Sequence, residues 1–454
     1  MKETTRTLVF TGAAVLLALL ALVTAPKKTT PNAFTDQGEP FFPQFTDPNA
    51  ASTLEVIDFD EETGSAVPFK VTFKNGRWSI PSHHDYPADG KDRLAKTAAG
   101  VIGVEKDDFR SDNVSDHEAC GVIDPVDETA VGVEGRGQRV TIKGENDIVL
   151  ADFIVGNAIE GREGFRFLRV PGQKRVYAAR ADIDISTKFR DWIESDLLQV
   201  DKNDIEELTI KDYTVNERMG TLNERDVLTL RKQGDEWIAN RMRDNQEVDK
   251  TKLDEFLKTL DELAIEGVRP KPSGLSASLE QYSDSLKLST ADMMSLQGKG
   301  FFFTRDGRLV SNEGELQART GEGIIYTLRF GEIVYGSGLA VSSGSVSDES
   351  GAQQPGENRY LFITTQFDPS RHPEPERPPN TYFQNRPDSL WTEEDKHNKA
   401  LHDAHSKWQT KHSERNRISD DLNARFASWY YVISAGSFDK LRQTRSDLVS
   451  EKKS

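Results

Sequence analysis

Read as alternating apolar and polar positions, the chain falls into an order of elements that occurs twice. "STLEVIDFDEETG", from Ser52, and "EELTIKDYTVNER", from Glu206, each alternate and then exit into polar residues, the signature of a half-buried strand. "FKVTFKNGRWSI" (Phe69 to Ile80) and "DVLTLRKQGDEWIA" (Asp226 to Ala239) follow them. Each predicts a strand, a Gly-containing turn and a strand opened by tryptophan, Trp78 in one and Trp237 in the other. An amphipathic helix comes next in both. Behind the N-cap Asp249, Leu253, Phe256, Leu257, Leu260 and Leu263 form one apolar face. Behind Asp89, residues Leu94, Ala95, Ala98, Val101 and Ile102 form a weaker stripe.

The match continues past the helix, where "CGVIDP" (Cys120 to Pro125) corresponds to "SGLSAS" (Ser273 to Ser278). Strands are then predicted at "QRVTIKG", "IVLADFIVG", "GFRFLRV" and "KRVYAAR" in the first copy. The second offers "GFFFTRDGRLV", "IIYTLRFGEIV", "RYLFITTQF" and "SWYYVISA". Two short helical tails close the copies, "DISTKFRDWIESDLL" and "SFDKLRQTRSDLV". Order, more than residue identity, carries the comparison. It predicts an α+β fold of two tandem repeated domains, residues 31–202 and 203–454, each an antiparallel β-sheet with a packed helix.

The second copy also carries an insertion, about residues 368–427, with no counterpart in the first. It opens on the proline-rich loop "DPSRHPEPERPPN" and becomes a polar helix from about Thr392 to Phe426. Leu401, Ala404, Trp408, Ile418 and Leu422 fall near heptad positions along it. Two readings stay open: a helix lying across its own sheet, or a helix that docks a partner through Trp391, Leu401 and Trp408. "GSGLAVSSGSVSDESGAQQPGENR" reads as a flexible hairpin tip.

Residues 1–30 differ from everything after them. Lys2 and Arg6 precede an uncharged apolar run, Leu8 to Ala25, long enough to cross a bilayer as a helix. Read as a signal peptide, it would place Pro26 directly after the small residues Val23 and Ala25, so an uncleaved transmembrane anchor is the expectation. The basic residues before the run put the amino terminus in the cytoplasm and the bulk of the chain outside it, although Lys27 and Lys28 weaken the asymmetry.

Composition narrows the function classes. A net charge of −17 over 454 residues, with no basic run interleaved with aromatics, excludes nucleic acid as the expected partner. Cys120 is the single cysteine, which excludes an intramolecular disulfide and a thiolate zinc cluster.

The candidate chemistry is sparse. His83, His84 and Asp85 are a metal-type triplet, but the equivalent stretch of the second copy, "IANRMRDNQEVDKTK", holds no histidine. His402 and His405 share a helix face at i, i+3 without an H-E-x-x-H frame. His117, Glu118 and Cys120 are too close in sequence for a nucleophile and its base. "GVEGRGQR", Gly132 to Arg139, resembles a phosphate loop, but strand signals rather than a helix follow it. The expectation is a protein without catalytic residues, metal or cofactor. The alternative is a metal-dependent or hydrolytic envelope enzyme using His83, His84 and Asp85 or the His402–His405 pair.

The apolar run, "FFPQFTDPNAASTLEVIDF", the Trp-to-helix unit, the Gly–apolar step and "FRDWIESDLLQVDKNDIEELTI" together resemble the bacterial family DUF4340, a domain of unknown function. The resemblance implies one amino-terminal segment in the inner membrane and an extracytoplasmic, periplasmic remainder. It also implies association with ABC-type transporters similar to the gliding-motility system. It supplies no catalytic residues, and the long insertion departs from it.

Overall fold

Alternation sets the first strands. β1 (Thr53–Asp60) buries Leu54 and Val56, and β2 (Ser65–Lys74) buries Phe69 and Val71. Asn75 and Gly76, both at positive φ, make the two-residue turn into β3 (Arg77–Ile80), a hairpin geometry that matches strand twist. There follow β4 (Tyr86–Pro87), α1 (Lys91–Ile102), β5 (Asp108–Ser111), the one-turn helix α2 (His117–Cys120), β6 (Gln138–Lys143), β7 (Val149–Ala158), β8 (Phe165–Arg169) and β9 (Val176–Arg180). Helix α1 buries Leu94, Thr97, Ala98 and Val101, close to the stripe expected from its pattern.

The later half begins with β10 (Ile205–Asn216), β11 (Thr221–Gln233), β12 (Glu236–Ala239) and β13 (Gln246–Val248). Asp249 caps α3 (Lys250–Asp261), accepting the Thr251 and Lys252 amides, and Leu253, Phe256, Leu257 and Leu260 are buried. Then come β14 (Gly267–Pro270), α4 (Ser273–Glu280), α5 (Thr290–Gln297), β15 (Phe301–Phe303), β16 (Leu309–Ser311), β17 (Glu315–Thr320), β18 (Ile324–Val334) and β19 (Asn358–Phe367). The chain closes with α6 (Glu393–Ala427), β20 (Trp429–Ile433), α7 (Ala435–Leu441), α8 (Arg445–Leu448) and β21 (Val449–Glu451).

This computed structural model describes residues 36–452, apart from Glu62, Val131, Asp182, 217–218, Gly220, 281–287, 336–340 and 342–356, together with Ala14, Val15 and Leu17. The anchor Leu8–Ala25 therefore lies almost wholly outside the described residues, and so does most of the Gly/Ser-rich stretch. Among the described residues no helix is long and apolar enough to cross a membrane.

The fold is α+β, with antiparallel sheets and helices, in two compact units. One comprises Met1–Pro68 and Leu94–Ile185, the other Phe69–Arg93 and Ser186–Ser454. In the first unit the sheet runs β2-β1-β6-β7-β8-β9-β5, with β2 contributing its residues up to Pro68. In the second, the rest of β2 pairs onward to β3 and β4, and an eight-stranded sheet runs β12-β11-β10-β17-β18-β19-β20-β14. The two orders follow one rule. The earliest strand sits mid-sheet, four later strands extend to one side, and the short strand after the helix (β5 or β14) forms the far edge.

Three sequence matches move. "GFFFTRDGRLV" is not a strand of the main sheet but a separate hairpin, β15-β16. Phe301 and Phe302 are buried by packing on the sheet, and the strand beside β10 is β17, whose "ELQART" hides its alternation behind charged residues. Ser273–Ser278 lies in α4 and is not the counterpart of Cys120–Pro125. That counterpart is Lys299–Gly300–Phe301. Gly121 and Gly300 both follow a helix at positive φ, and a Cβ on Gly156 of β7 or Gly331 of β18 would overlap the Cys120 or Lys299 carbonyl oxygen. "DISTKFRDWIESDLL" holds only a 3-10 turn, Phe189–Trp192, because an i, i+3 apolar pair suits that helix as well as an α-helix.

The long insertion is helical as expected. Thr392 and Asp395 form a capping box at the start of α6. Further along, the helix is latched to β19. Asn423 accepts the Thr365 amide (2.8 Å) and donates to the Thr365 carbonyl (2.7 Å), while the Thr365 hydroxyl donates to the Ser419 carbonyl (2.9 Å). At its end Nζ of the buried Lys271 donates to the Phe426 carbonyl (2.9 Å) and lies 3.9 Å from the centre of the Phe362 ring. So the carboxy-terminal half of α6 lies across its own sheet.

Candidate functional site

On one face of the eight-stranded sheet, β10, β17 and β18 set Lys211 opposite Glu315 and Glu315 opposite Arg329. Glu315 is buried, its side chain 6% exposed. It accepts from Lys211 Nζ at 2.6 Å and from the Tyr213 hydroxyl at 3.4 Å, and pairs with Arg329 Nε at 3.3 Å. The Tyr213 oxygen in turn accepts the Ser311 amide (3.3 Å). Burial and then the Glu315 charge push the Tyr213 phenol up to about 12, so it stays neutral and donating. The same Arg329 Nε donates to the Leu309 carbonyl (2.9 Å), and Nη1 donates to the Thr364 hydroxyl (3.1 Å).

Hairpin β15-β16 covers part of this face, with Phe302 and Val310 packed on Tyr213, Val215 and Leu222. Between hairpin and sheet lies a cavity of about 250 Å³, whose walls include Leu222, Val227, Leu309 and Val310. The carboxylates around it are mostly spent. Asp212 pairs with Arg225, Asp226 with Arg241 and Arg445, and Glu315 with Lys211 and Arg329. Glu224, which also lines the cavity, has no ion-pair partner among the described residues. This arrangement can hold a ligand by charge and apolar contact.

The protein-family comparison matches residues 78–278 to DUF4340, a domain of unknown function. This segment is a DUF4340 domain. No curated protein matches it. No solved structure matches it either. The DUF4340 segment opens at Trp78, whose strand leads into the His83 loop, and closes within α4. It supplies the β10 and β11 walls of the cavity, while Glu315, Arg329 and the hairpin lie beyond it.

Inside the DUF4340 segment the His83 triplet comes apart. His83 is 1% exposed and stacked on Phe189, ring centroids 4.5 Å apart, with Phe69 edge-on at 5.9 Å and the Ser82 hydroxyl 3.0 Å from Nδ1. Burial first, then the His84 and Arg269 charges, lower its pKa to about 4. His84 and Asp85 sit at positive φ on the surface, where the turn aims them away from that ring. His117 Nε2 meets the Lys174 carbonyl at 2.9 Å, and burial raises the Cys120 thiol's pKa, so the thiolate is disfavoured. In "GVEGRGQR", Arg136 ties the Asp124, Pro125, Asp127 and Ala130 carbonyls together and lies over Phe59, making a structural knot.

Beyond the DUF4340 segment, His402 and His405 turn to different partners. His402 Nε2 is 3.3 Å from Gln384 Nε2, and His405 Nε2 is 3.0 Å from Glu374 Oε1. Among the described residues no group of three His, Cys, Asp or Glu side chains is placed to hold a metal ion. The partner-contact candidates are half-buried. The Trp391 indole donates to the Phe383 and Arg386 carbonyls (3.1 Å each), Trp408 donates to the His372 carbonyl (2.8 Å), and Leu401 lies between them on α6. Sequence reasoning missed Lys211, Tyr213, Glu315 and Arg329. Lys211, Glu315 and Arg329 alternate with the buried Ile210, Leu316 and Leu328, so in sequence they read as solvent-facing.

Proposed function

We propose that the chain is a non-enzymatic, membrane-anchored extracytoplasmic binding protein, built by internal duplication. It serves as an accessory component of an ABC-type transport or gliding-motility-like complex. The observation that carries the binding reading is the strand order repeated in the two sheets. A scaffold written twice multiplies sheet edges and faces, and those are the surfaces by which β-proteins take partners. The DUF4340 match over residues 78–278 supports the accessory role, through the association with transporters that the family resemblance implies. The run Leu8–Ala25 behind Lys2 and Arg6 supports an anchor in the bacterial inner membrane with the bulk of the chain in the periplasm.

The test is crosslinking in intact cells, with the full chain at native abundance, followed by purification through a carboxy-terminal tag. Transporter subunits are the expected co-purified proteins. Recovery of the chain alone would overturn the reading. Stoichiometric zinc or iron in the purified protein, lost on changing His83 and His84 to alanine, would replace it with a metal-dependent one.

A further inference from the structure

The eight-stranded sheet ends on one side at β12, and β12 is short. Its four residues pair only with Leu230–Gln233 of the much longer β11. The rest of the outer edge of β11 is treated in two ways. From Val227 to Thr229 side chains close it. Asn240 accepts the Thr229 amide (3.0 Å), and the Val227 carbonyl accepts from Asn240 (3.0 Å), Arg241 (2.9 Å) and Arg445 (3.0 Å).

From Leu222 to Asp226 the inner edge is held by β10, and no described backbone group meets the outer edge. Asn223, Glu224 and Arg225 are exposed there. Arg225 is the extra residue of a bulge: Asp212 faces Asp226, while Tyr213 faces Glu224. Open edges of this kind accept an added strand through main-chain hydrogen bonds, and neighbouring pockets for alternate side chains then choose the sequence.

Such a pocket adjoins this edge. Leu222 and Glu224, alternate residues of β11, line the 250 Å³ cavity beneath β15-β16. Its apolar walls suit the methylene stem of a long side chain, and Glu224 is the carboxylate left without a cation among the described residues. The complement is a lysine or arginine, in keeping with a net charge of −17.

We propose that the outer edge of β11, Leu222 to Asp226, takes an extended basic segment of a partner protein as an added strand, with one Lys or Arg side chain in the cavity against Glu224. This rests on the reading of the chain as a binding protein and gives that reading a site.

The probe is a fluorescent peptide of alternating valine and lysine, titrated against the full chain in detergent at physiological salt. A second peptide carries glutamate in place of lysine. Glu224→Lys weakens the lysine peptide by about tenfold or more and strengthens the glutamate peptide, a reversal that diffuse attraction to an acidic protein does not produce. Of two lysine peptides N-methylated on alternate amides, one in each frame, one frame loses binding by a similar factor. Equal binding of both frames, an unchanged affinity in Glu224→Lys, or no binding to the parent chain overturns the proposal. Glu224 is exposed, and circular dichroism of the variant checks that its strand content is kept. In the cell, unchanged recovery of transporter subunits by Glu224→Lys overturns this edge while leaving the binding role standing.

Discussion

His83 shows how a residue that looks reactive in sequence becomes structural once its neighbours arrive. Its ring is sealed between Phe69 and Phe189 and held neutral, with a pKa of about 4 set mainly by burial. In the unfolded chain the same imidazole titrates near 6.5, so between those values the unfolded state binds the extra proton. Stability from this group is therefore complete above about pH 6.5 and is lost as pH falls toward 4. His83→Phe keeps the stacking and should remove about 2 kcal/mol of the stability difference between about pH 7 and pH 5. Urea unfolding at the two pH values checks this, and an unchanged pH slope in the variant contradicts it. The stretch around His83 was legible as strand, loop and helix, yet nothing in "SHHD" says that one histidine points inward and the next outward. The converse holds for Glu315. Its ion pair with Lys211 joins positions 104 residues apart, so no local motif could have announced it.

At the scale of elements, pattern served best where the element supplies its own boundary. Helix α6 was expected from about Thr392 to Phe426 and runs Glu393–Ala427, its start fixed by the Thr392–Asp395 capping box. Its seat on the sheet was invisible, since Asn423 and Ser419 look like solvent-facing residues of a polar helix. They are buried and carry the latch to Thr365. Asn423→Ala orphans both the amide and the carbonyl of Thr365 and should cost about 2 kcal/mol. It should also raise hydrogen exchange at Thr365 and along the second half of α6 ahead of the rest of the chain. Exchange rising uniformly would mean that the latch is only part of the general core. The strand that escaped notice, β17, did so for the same reason: charges that look outward in sequence are paired in the sheet.

For the whole molecule, the α+β class with antiparallel sheets was readable, while the strand neighbours were not. Adjacency in a sheet depends on long-range pairing that leaves no trace within a window of residues. The DUF4340 match illustrates the difference. Residues 78–278 span β3 to α4, so they omit β1 and β2 from one sheet and β17 to β20 from the other. A fragment of those residues should therefore lack a cooperative unfolding transition and dispersed amide resonances. A folded fragment would show that one sheet tolerates the loss of its partners. The edge strand β14 has a further consequence, one of timing. Its partner, β20, is synthesised only after the whole insertion and α6, with Gly267 meeting Val432 and Val268 meeting Tyr431. As the chain emerges vectorially, that edge stays unpaired until the last segment appears. Closure of the sheet is thus a late, high-contact-order step, during which the growing chain is most exposed to mispairing and to proteases.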